Sequence, residues 1–170
     1  MLVRIAVRQF RLRDLDRVME MERAAFGADA YDRNLFAEFF DKCGKLFLVA
    51  ERRGRVCGYI VTCVRAPQPA KGGEARVPVR ERAELVSVTV DPAQRRHGVG
   101  SALLKSTLGR LRRLGVHRLG LMVRLTNTSA RSFYEGFGFR RLRTVPQYYE
   151  DGEDGLLMSK DLASPKAKLG

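Results

Sequence analysis

The chain has 170 residues, of which 45% are hydrophobic, and this length and composition are typical of one globular domain with a sizeable core. No stretch approaches the roughly 18 uninterrupted apolar residues of a membrane span, and the first residues lack the apolar core of a signal peptide, so we expect a cytoplasmic protein with no membrane partner. The net charge of +13 fits attraction to an anionic cofactor, an acidic protein, a ribosome or a nucleic acid, but scattered arginines are also typical of a solvated basic surface. Nucleic acid is not the expected partner, since no zinc-finger spacing or RNA-binding aromatic run accompanies the charge.

The first half of the chain predicts a strand, two helices and a hairpin. In order, the periodicity predicts a strand over Val3–Val7, helices over Arg11–Phe26 and about Asp32–Lys42, and strands over Lys45–Glu51 and Val56–Val64. Gly27 is expected to end the first helix, and Arg53-Gly54 to form the hairpin turn. Residues 67–78 are rich in proline, glycine and charge, and are predicted to form a mobile loop within the domain.

The cysteines do not suggest a metal site or a disulfide. Cys43, Cys57 and Cys63 are odd in number, and they contain no Cys-x-x-Cys spacing. With only two histidines in the chain, zinc ligation is poorly supported, and no metal is predicted. Cys57 and Cys63 are interpreted as free, reduced residues of the core or of a strand.

A phosphate-binding loop is predicted in the middle of the chain. Leu85–Val90 is a β-branched apolar run typical of a buried strand, Asp91-Pro92 ends it, and a basic loop with Gly98 and Gly100 leads into a helix. Glycines let the backbone approach a ligand, and the free N–H groups of a helix's first turn attract anions. A P-loop lysine and a third dinucleotide-binding glycine are both missing, and the glycines alone also fit an ordinary strand-to-helix turn.

The second half predicts a mixed α+β fold. In order, the pattern predicts a helix to about Leu114, a strand over Arg118–Arg124, a helix over Thr128–Gly136 capped by Asn127, a strand to about Arg143, a strand over about Gly155–Lys160 and a frayed tail. These elements predict a mixed, mostly antiparallel central sheet flanked by helices, with one parallel pair across the helix that follows the central strand. We expect one domain over residues 1–162 and a flexible tail over 163–170.

The phosphate loop resembles that of a known enzyme family. Arg95-x-x-Gly98-x-Gly100 resembles the Gln/Arg-x-x-Gly-x-Gly/Ala signature of the GNAT N-acetyltransferases, and the resemblance covers most of the chain. It implies the GNAT fold and acetyl-CoA as cosubstrate. In that family the loop holds the pyrophosphate of acetyl-CoA, and the strand before it offers backbone groups to the pantetheine arm. The cofactor contacts that the resemblance implies are Val88, Thr89, Val90, Arg95, Arg96, His97, Gly98, Val99, Gly100 and Ser101.

Two residues are candidates for proton transfer. Acetyl transfer to an amine needs a base for the amine and an acid for the departing thiolate. Glu84, at the head of the apolar strand, resembles the catalytic glutamate of the histone acetyltransferase branch, and burial there would suit a base; the alternative is a surface glutamate at the strand edge. The run from Asn127 to Phe139 resembles the family's Asn-x-x-Ala-x-x-x-Tyr-x-x-x-Gly-Phe pattern, which implies that Asn127 binds the cofactor and that Tyr134 also lies beside it as the acid. The alternatives are a simple helix cap and a half-buried aromatic residue.

The end of the chain indicates the acceptor. The run from Tyr148 to Met158 resembles the Tyr-Tyr-x-Asp-Gly-Glu-Asp-Ala-x-x-Met ending of protein N-terminal acetyltransferases, in which paired tyrosines line the slot for the peptide N-terminus. The alternative is an Asp-Gly turn with tyrosines packed at its rim. The same resemblance implies that Phe26, Tyr31 and Glu84 border the acceptor. The bacterial ribosomal enzyme has a glutamate base where this chain has Met122, so Glu84 or an ordered water would have to act instead.

The sequence therefore predicts an acetyl-CoA-dependent N-acetyltransferase that acts without a covalent intermediate on the α-amine of a protein or peptide N-terminus, ribosomal proteins included. The first alternative is an acetyltransferase for lysine side chains or small-molecule amines. The second is a basic ribosome- or nucleic-acid-binding protein without catalysis. Either a monomer or a homodimer fits these predictions.

Overall fold

The computed structural model describes residues 3–65 and 82–162. Its elements occupy the predicted segments, with boundaries displaced by a few residues. The strands are β1 (Ile5–Gln9), β2 (Phe47–Arg52), β3 (Arg55–Val64), β4 (Arg82–Val90), β5 (Arg118–Arg124), β6 (Arg140–Val145) and β7 (Gly155–Asp161). The helices are α1 (Leu15–Phe26), α2 (Arg33–Cys43), α3 (Val99–Arg113) and α4 (Thr128–Gly136). The loop expected at residues 67–78 and the tail expected at 163–170 lie outside the described residues.

Helix α1 begins later than the spacing predicts, because a 3₁₀ turn over Leu12–Asp14 precedes it. The buried Asp14 carboxylate accepts hydrogen bonds from Arg11 N at 2.8 Å and from both Nη atoms of Arg8 at 2.7 and 2.8 Å. Burial acts to raise the pKa of Asp14, but the hydrogen bonds from Arg8 and Arg11 outweigh it, so the pKa lies below its ordinary value. The carboxylate therefore stabilises the 3₁₀ turn that precedes the helix.

Within the described residues, the strands form one mixed sheet in the order β1-β2-β3-β4-β5-β7-β6. The pairs β1–β2, β2–β3, β5–β7 and β6–β7 are antiparallel. Strands β4 and β5 run parallel, with Arg82 opposite Arg118 and Glu84 opposite Gly120. The predicted α+β fold with a mostly antiparallel sheet is confirmed, including the parallel pair across the helix that follows the central strand.

The described chain divides into two compact units, of which the first contains Met1–Cys63 and Leu85–Arg110. Its core is built by α1, α2 and the strands β2 and β3, and it contains Phe10, Leu15, Val18, Met21, Phe36, Phe47, Val49, Val56, Tyr59 and Val61. Gly58 points to the opposite face of β3, where an added Cβ would lie 2.9 Å from Val99 Cγ1. The start of α3 therefore packs directly on β3.

The second unit contains Val64–Glu84 and Leu111–Gly170. Along β5, buried residues alternate with half-buried ones, so that Leu121 lies in the core and Met122 faces the other way. The rings of Tyr134 and Phe139 meet edge to face at 5.5 Å, which ties α4 to the chain that enters β6. This aromatic contact places Tyr134 in the core of the unit.

The cysteine prediction was half wrong. Cys43 and Cys63 form a disulfide, with their Cα atoms 5.0 Å apart, whereas Cys63 was expected to be free and a disulfide was considered poorly supported. Cys43 ends α2 and Cys63 lies near the end of β3, and packing of the helix on the strand brings them within bonding range. The two cysteines are brought together by tertiary packing, so their spacing in the sequence does not indicate the disulfide. Cys57 is buried and free, as predicted.

Candidate functional site

The predicted phosphate loop has the backbone of an anion-binding helix start. After β4, a 3₁₀ turn over Pro92–Gln94 leads into a loop in which Arg96 and Gly98 have positive φ angles of 64° and 78°. Helix α3 begins at Val99, and Ala102 N donates to Gly98 O at 2.9 Å as the helix forms its first turn. The N–H groups of Val99 and its two successors precede this bond, so helix geometry leaves them without intrahelical acceptors. The positive end of the helix dipole lies at the same place.

The base of the loop is fixed to the core of the first unit. Asp91 accepts from Ala93 N at 3.0 Å and is paired with Arg17 of α1. The hydrogen bond from Ala93, together with Arg17, lowers the pKa of Asp91 against a smaller opposing effect of burial. Arg52 Nη1 donates to Gln94 Oε1 at 2.8 Å. These contacts hold the loop in place at its start.

The tip of the loop is open to solvent. Arg95, Arg96, His97 and Gly98 are exposed, and Gly100 and Ser101 are half-buried. The Val99 side chain belongs to the core instead, so this residue offers only its N–H group. The predicted pyrophosphate contacts thus combine exposed cations with backbone donors at one helix start.

Strand β4 presents two different faces. Val88 and Val90 are half-buried, while Ser87 and Thr89 point into the core of the first unit. Thr89 Oγ1 donates to Tyr59 Oη at 3.3 Å. The Thr89 side chain is therefore engaged in the core, and the predicted pantetheine contacts of this residue are limited to its backbone.

A buried carboxylate lies behind β4, and sequence reasoning assigned it no role. Glu22 of α1 is 1% exposed. It accepts from Tyr31 N at 3.1 Å and from the Tyr59 hydroxyl, which also lies 3.3 Å from Ser87 Oγ. Burial raises the pKa of Glu22, although both hydrogen bonds oppose the shift. A glutamate on the apolar stripe of α1 is the sequence signal that could have revealed it.

Glu84 occupies the expected position on β4 but is not buried. Its side chain is 40% exposed and paired with Arg65, whose Nη2 and Nε lie 2.5 and 3.1 Å from Oε2. The burial that the sequence argument invoked for this base is therefore wrong. Glu84 was expected to be buried at the head of the apolar strand, whereas its side chain is on the half-buried face of β4 and bonds to Arg65.

The helix α4 carries the predicted asparagine and tyrosine. Asn127 caps the helix through Oδ1, which accepts from Ala130 N at 3.1 Å. The cap uses the oxygen of the amide, so a cofactor contact would fall to Nδ2. Tyr134 is 5% exposed, and burial, followed by the effect of Tyr149, raises its pKa. Its hydroxyl thus keeps its proton across the neutral range, as an acid requires.

The loop between β6 and β7 carries the paired tyrosines. Their rings meet edge to face at 5.0 Å, and Tyr148 is 49% exposed. Arg124 Cζ, at the end of β5, lies 4.1 Å from the centre of the Tyr149 ring. Arg124 Nη1 also bonds Asp151 and Glu153 at 2.7 and 2.8 Å, and those bonds raise its pKa. Arg124 therefore stabilises the conformation of this loop through its contacts with Tyr149, Asp151 and Glu153.

Three further residues were predicted near the acceptor or the base. Phe26 is exposed at the end of α1. Tyr31 is half-buried, and its ring packs against Phe39 at 5.7 Å. Met122 and Tyr148 both lie next to Gly155, where an added Cβ would be 2.8 Å from Met122 Sδ and 3.0 Å from Tyr148 Cβ.

The described residues contain no group of three or more His, Cys, Asp or Glu side chains that could hold a metal ion. Among the same residues, no helix is both long and apolar enough to cross a membrane.

Comparison with known proteins identifies the family. Residues 15–139 match the acetyltransferase (GNAT) family. The chain is 35% identical over 164 residues to an uncharacterized N-acetyltransferase of Methanocaldococcus jannaschii, covering 96% of both chains. It is 30% identical over 158 residues to an N-alpha-acetyltransferase of Sulfolobus acidocaldarius, covering 92% of both.

A solved structure agrees with these relatives. Ard1 from Thermoplasma volcanium superposes with a TM-score of 0.82 at 26% identity, over 94% of this chain and 99% of that one. This chain therefore belongs to the acetyltransferase (GNAT) family and is an N-acetyltransferase.

Proposed function

We propose that this enzyme transfers the acetyl group of acetyl-CoA to the α-amine of a protein or peptide N-terminus. The observation that carries the proposal is the loop of Tyr148 and Tyr149, which Arg124 holds in a defined conformation while leaving Tyr148 exposed. A pair of rigid aromatic side chains is suited to enclose an extended peptide end. The relative named as an N-alpha-acetyltransferase supports the same class of acceptor.

The loop from Arg95 to Ser101 fits the pyrophosphate of acetyl-CoA. A Cβ at Gly98 would meet nothing within 4 Å, so the backbone there is open to a ligand. The N–H groups of Val99, Gly100 and Ser101 would bind phosphate oxygens, and the exposed Arg95, Arg96 and His97 would add donors. Val88, Thr89 and Val90 would bind the pantetheine arm through their backbone, and Asn127 would bind the cofactor through Nδ2.

Two residues would move protons during the transfer. Glu84 takes a proton from the acceptor amine, directly or through a water, as the amine nitrogen bonds to the acetyl carbonyl carbon. The C–S bond then breaks, and Tyr134 gives its hydroxyl proton to the departing thiolate. Phe26, Tyr31, Tyr148 and Tyr149 would border the acceptor.

The test is thiol release from acetyl-CoA with two peptide sets, one with free N-termini and no lysine, the other with blocked N-termini and one lysine. Turnover on the first set alone is the expected result. Turnover on the second set alone would refute the proposal. Glu84→Gln should lower kcat about 10²-fold on the first set, whereas Glu20→Gln, an exposed carboxylate on α1, serves as the matched control.

One observation favours a second candidate, an acetyltransferase for lysine side chains or small amines. Met122 stands where the bacterial ribosomal enzyme has its glutamate base, and its sulfur would lie 2.8 Å from a Cβ added to Gly155. A different base could accompany a different acceptor. The lysine peptide set and a panel of polyamines in the same assay decide between the two.

A further inference from the structure

The buried carboxylate of Glu22 connects a loop to a strand within the first unit. On one side, Glu22 Oε1 accepts from the backbone N–H of Tyr31, in the connection between α1 and α2, at 3.1 Å. On the other side, Oε2 accepts from the hydroxyl of Tyr59 on β3. Each carboxylate oxygen therefore binds a different part of the fold.

Tyr59 continues the connection to β4. It is fully buried, and its hydroxyl lies 3.3 Å from both Ser87 Oγ and Thr89 Oγ1. These two β4 residues face the core, while their neighbours Val88 and Val90 face the other way. A continuous chain of hydrogen bonds thus runs from the Tyr31 backbone through Glu22 and Tyr59 to β4.

Core stability alone does not account for a glutamate at this position. Glu22 lies on the same face of α1 as Leu15 and Val18, which pack in the hydrophobic cluster with Phe36. Burying a carboxylate is costly, and replacing buried ionic groups with well-packed apolar side chains is often neutral or stabilising. A leucine or methionine here would fill the core, but it could not accept a hydrogen bond from the Tyr31 N–H group.

We propose that Glu22 is a positioning residue that sets the conformation of the α1–α2 connection, with Tyr31, relative to strand β4. The inference rests on the proposed function, in which Tyr31 borders the acceptor and β4 binds the pantetheine arm. Tyr59 transmits the restraint between them. The hydrogen bonds of Glu22 then hold the α1–α2 connection, which borders the acceptor, at a fixed position relative to β4. We therefore expect Glu22 to affect the binding of the peptide rather than that of acetyl-CoA.

The test compares Glu22→Gln with Glu20→Gln, which removes an exposed carboxylate from the same helix. Glutamine keeps the shape, and its Oε1 still accepts from Tyr31 N, but the hydrogen bond is no longer charge-assisted. The KM for an acceptor peptide should rise about three- to tenfold, while kcat per active site and the KM for acetyl-CoA stay within about twofold. Glu20→Gln should leave all three unchanged.

A residue with a purely structural role would give a different pattern. Loss of stability lowers the fraction of active enzyme and leaves both KM values in place, and that result for Glu22→Gln would overturn the proposal. A parallel rise of both KM values would overturn it too.

Tyr59→Phe is the second variant, since it removes only the hydroxyl from a ring that packs among phenylalanines. It should raise the peptide KM in the same direction, and if Glu22→Gln does not fold, this variant alone decides. If neither variant folds, the positioning role is rejected. A wild-type enzyme that ignores free N-termini refutes the proposed function instead, and the two failures are therefore distinguishable.

Discussion

Replacing Gly58 by alanine should damage both the stability of the protein and its binding of acetyl-CoA. The added Cβ would lie 2.9 Å from Val99 Cγ1, 3.1 Å from Thr89 O and 3.2 Å from Leu103 Cδ1. The Thr89 oxygen belongs to the backbone of the neighbouring strand, and the two side chains are buried. None of the three can move into solvent, so the start of α3 has to shift away from β3.

The size of the effect follows from overpacking. Extra methyl groups in a well-packed core cost about 1–3 kcal/mol, and in a chain of this size each kcal/mol lowers the Tm by about 2–4 °C. We therefore expect Gly58→Ala to lower the Tm by about 2–12 °C. Because Val99 is the first residue of α3, the same shift should weaken the proposed bond from its N–H group to the pyrophosphate and raise the Kd for acetyl-CoA about tenfold.

Thermal unfolding and calorimetric titration of acetyl-CoA measure the two effects. Gly120→Ala is the matched control, since its Cβ would have only an ordinary contact, 3.8 Å from Met158 O. Alanine at that strand position should change stability by no more than about 0.5–1 kcal/mol, in the stabilising direction. Equal Tm and Kd values for the two variants would refute the packing argument.

Three further predictions concern other parts of the fold. Tyr134→Phe should lower kcat about 10²-fold in the thiol-release assay with little change in Tm, because the ring contacts remain and only the proton donor is lost; an unchanged kcat would exclude Tyr134 as the acid. Asp14→Asn should cost about 2–4 kcal/mol in urea unfolding at pH 7, since it breaks the pair with Arg8. The pKa of Asp14 in the folded protein is lower than its ordinary value of about 3.8. The wild type should therefore lose this stability as the pH falls from about 3.8 through the folded-state pKa, whereas the variant, which has no carboxyl group at this position, should not show this loss. Cys43→Ser should cost about 2–3 kcal/mol relative to the oxidised wild type, because the bond to Cys63 closes a loop of 20 residues; reductant should bring the wild type to the same Tm and leave the variant unaffected.

Local signals were sufficient to predict most of the fold. Strand β5 and helix α4 have the predicted boundaries, because alternation marks the strand and Asn127 supplies the cap that starts the helix. The hairpin turn at Arg53 and Gly54 was equally readable, and both residues have the positive φ angles that such a turn requires. Each of these features is decided by residues adjacent in the chain.

Features that depend on distant partners were not predicted. From the sequence alone, Glu22 is one more residue of an amphipathic helix, because its side-chain partner Tyr59 comes 37 positions later and nothing in the local pattern indicates that the two meet. The disulfide between Cys43 and Cys63 was not predicted for the same reason, since the two residues are 20 positions apart. The pairing of Glu84 with Arg65 was not predicted, because the two residues are 19 positions apart in the chain.

The exposure of Glu84 bears on the choice of acceptor. Its carboxylate is 40% exposed and bonded to Arg65, so it is not the buried base that the strand pattern suggested. An α-amine has a pKa of about 8, so roughly a tenth of it is already neutral at pH 7, whereas a lysine amine at about 10.4 is neutral less than one time in a thousand. The difference is about 2.4 pH units, or about 3.3 kcal/mol, that a lysine acetyltransferase must supply through its base and its surroundings. An α-amine makes the smaller demand on the base. The arrangement of Glu84 is therefore compatible with an N-terminal acceptor for a chemical reason that is independent of the tyrosine loop.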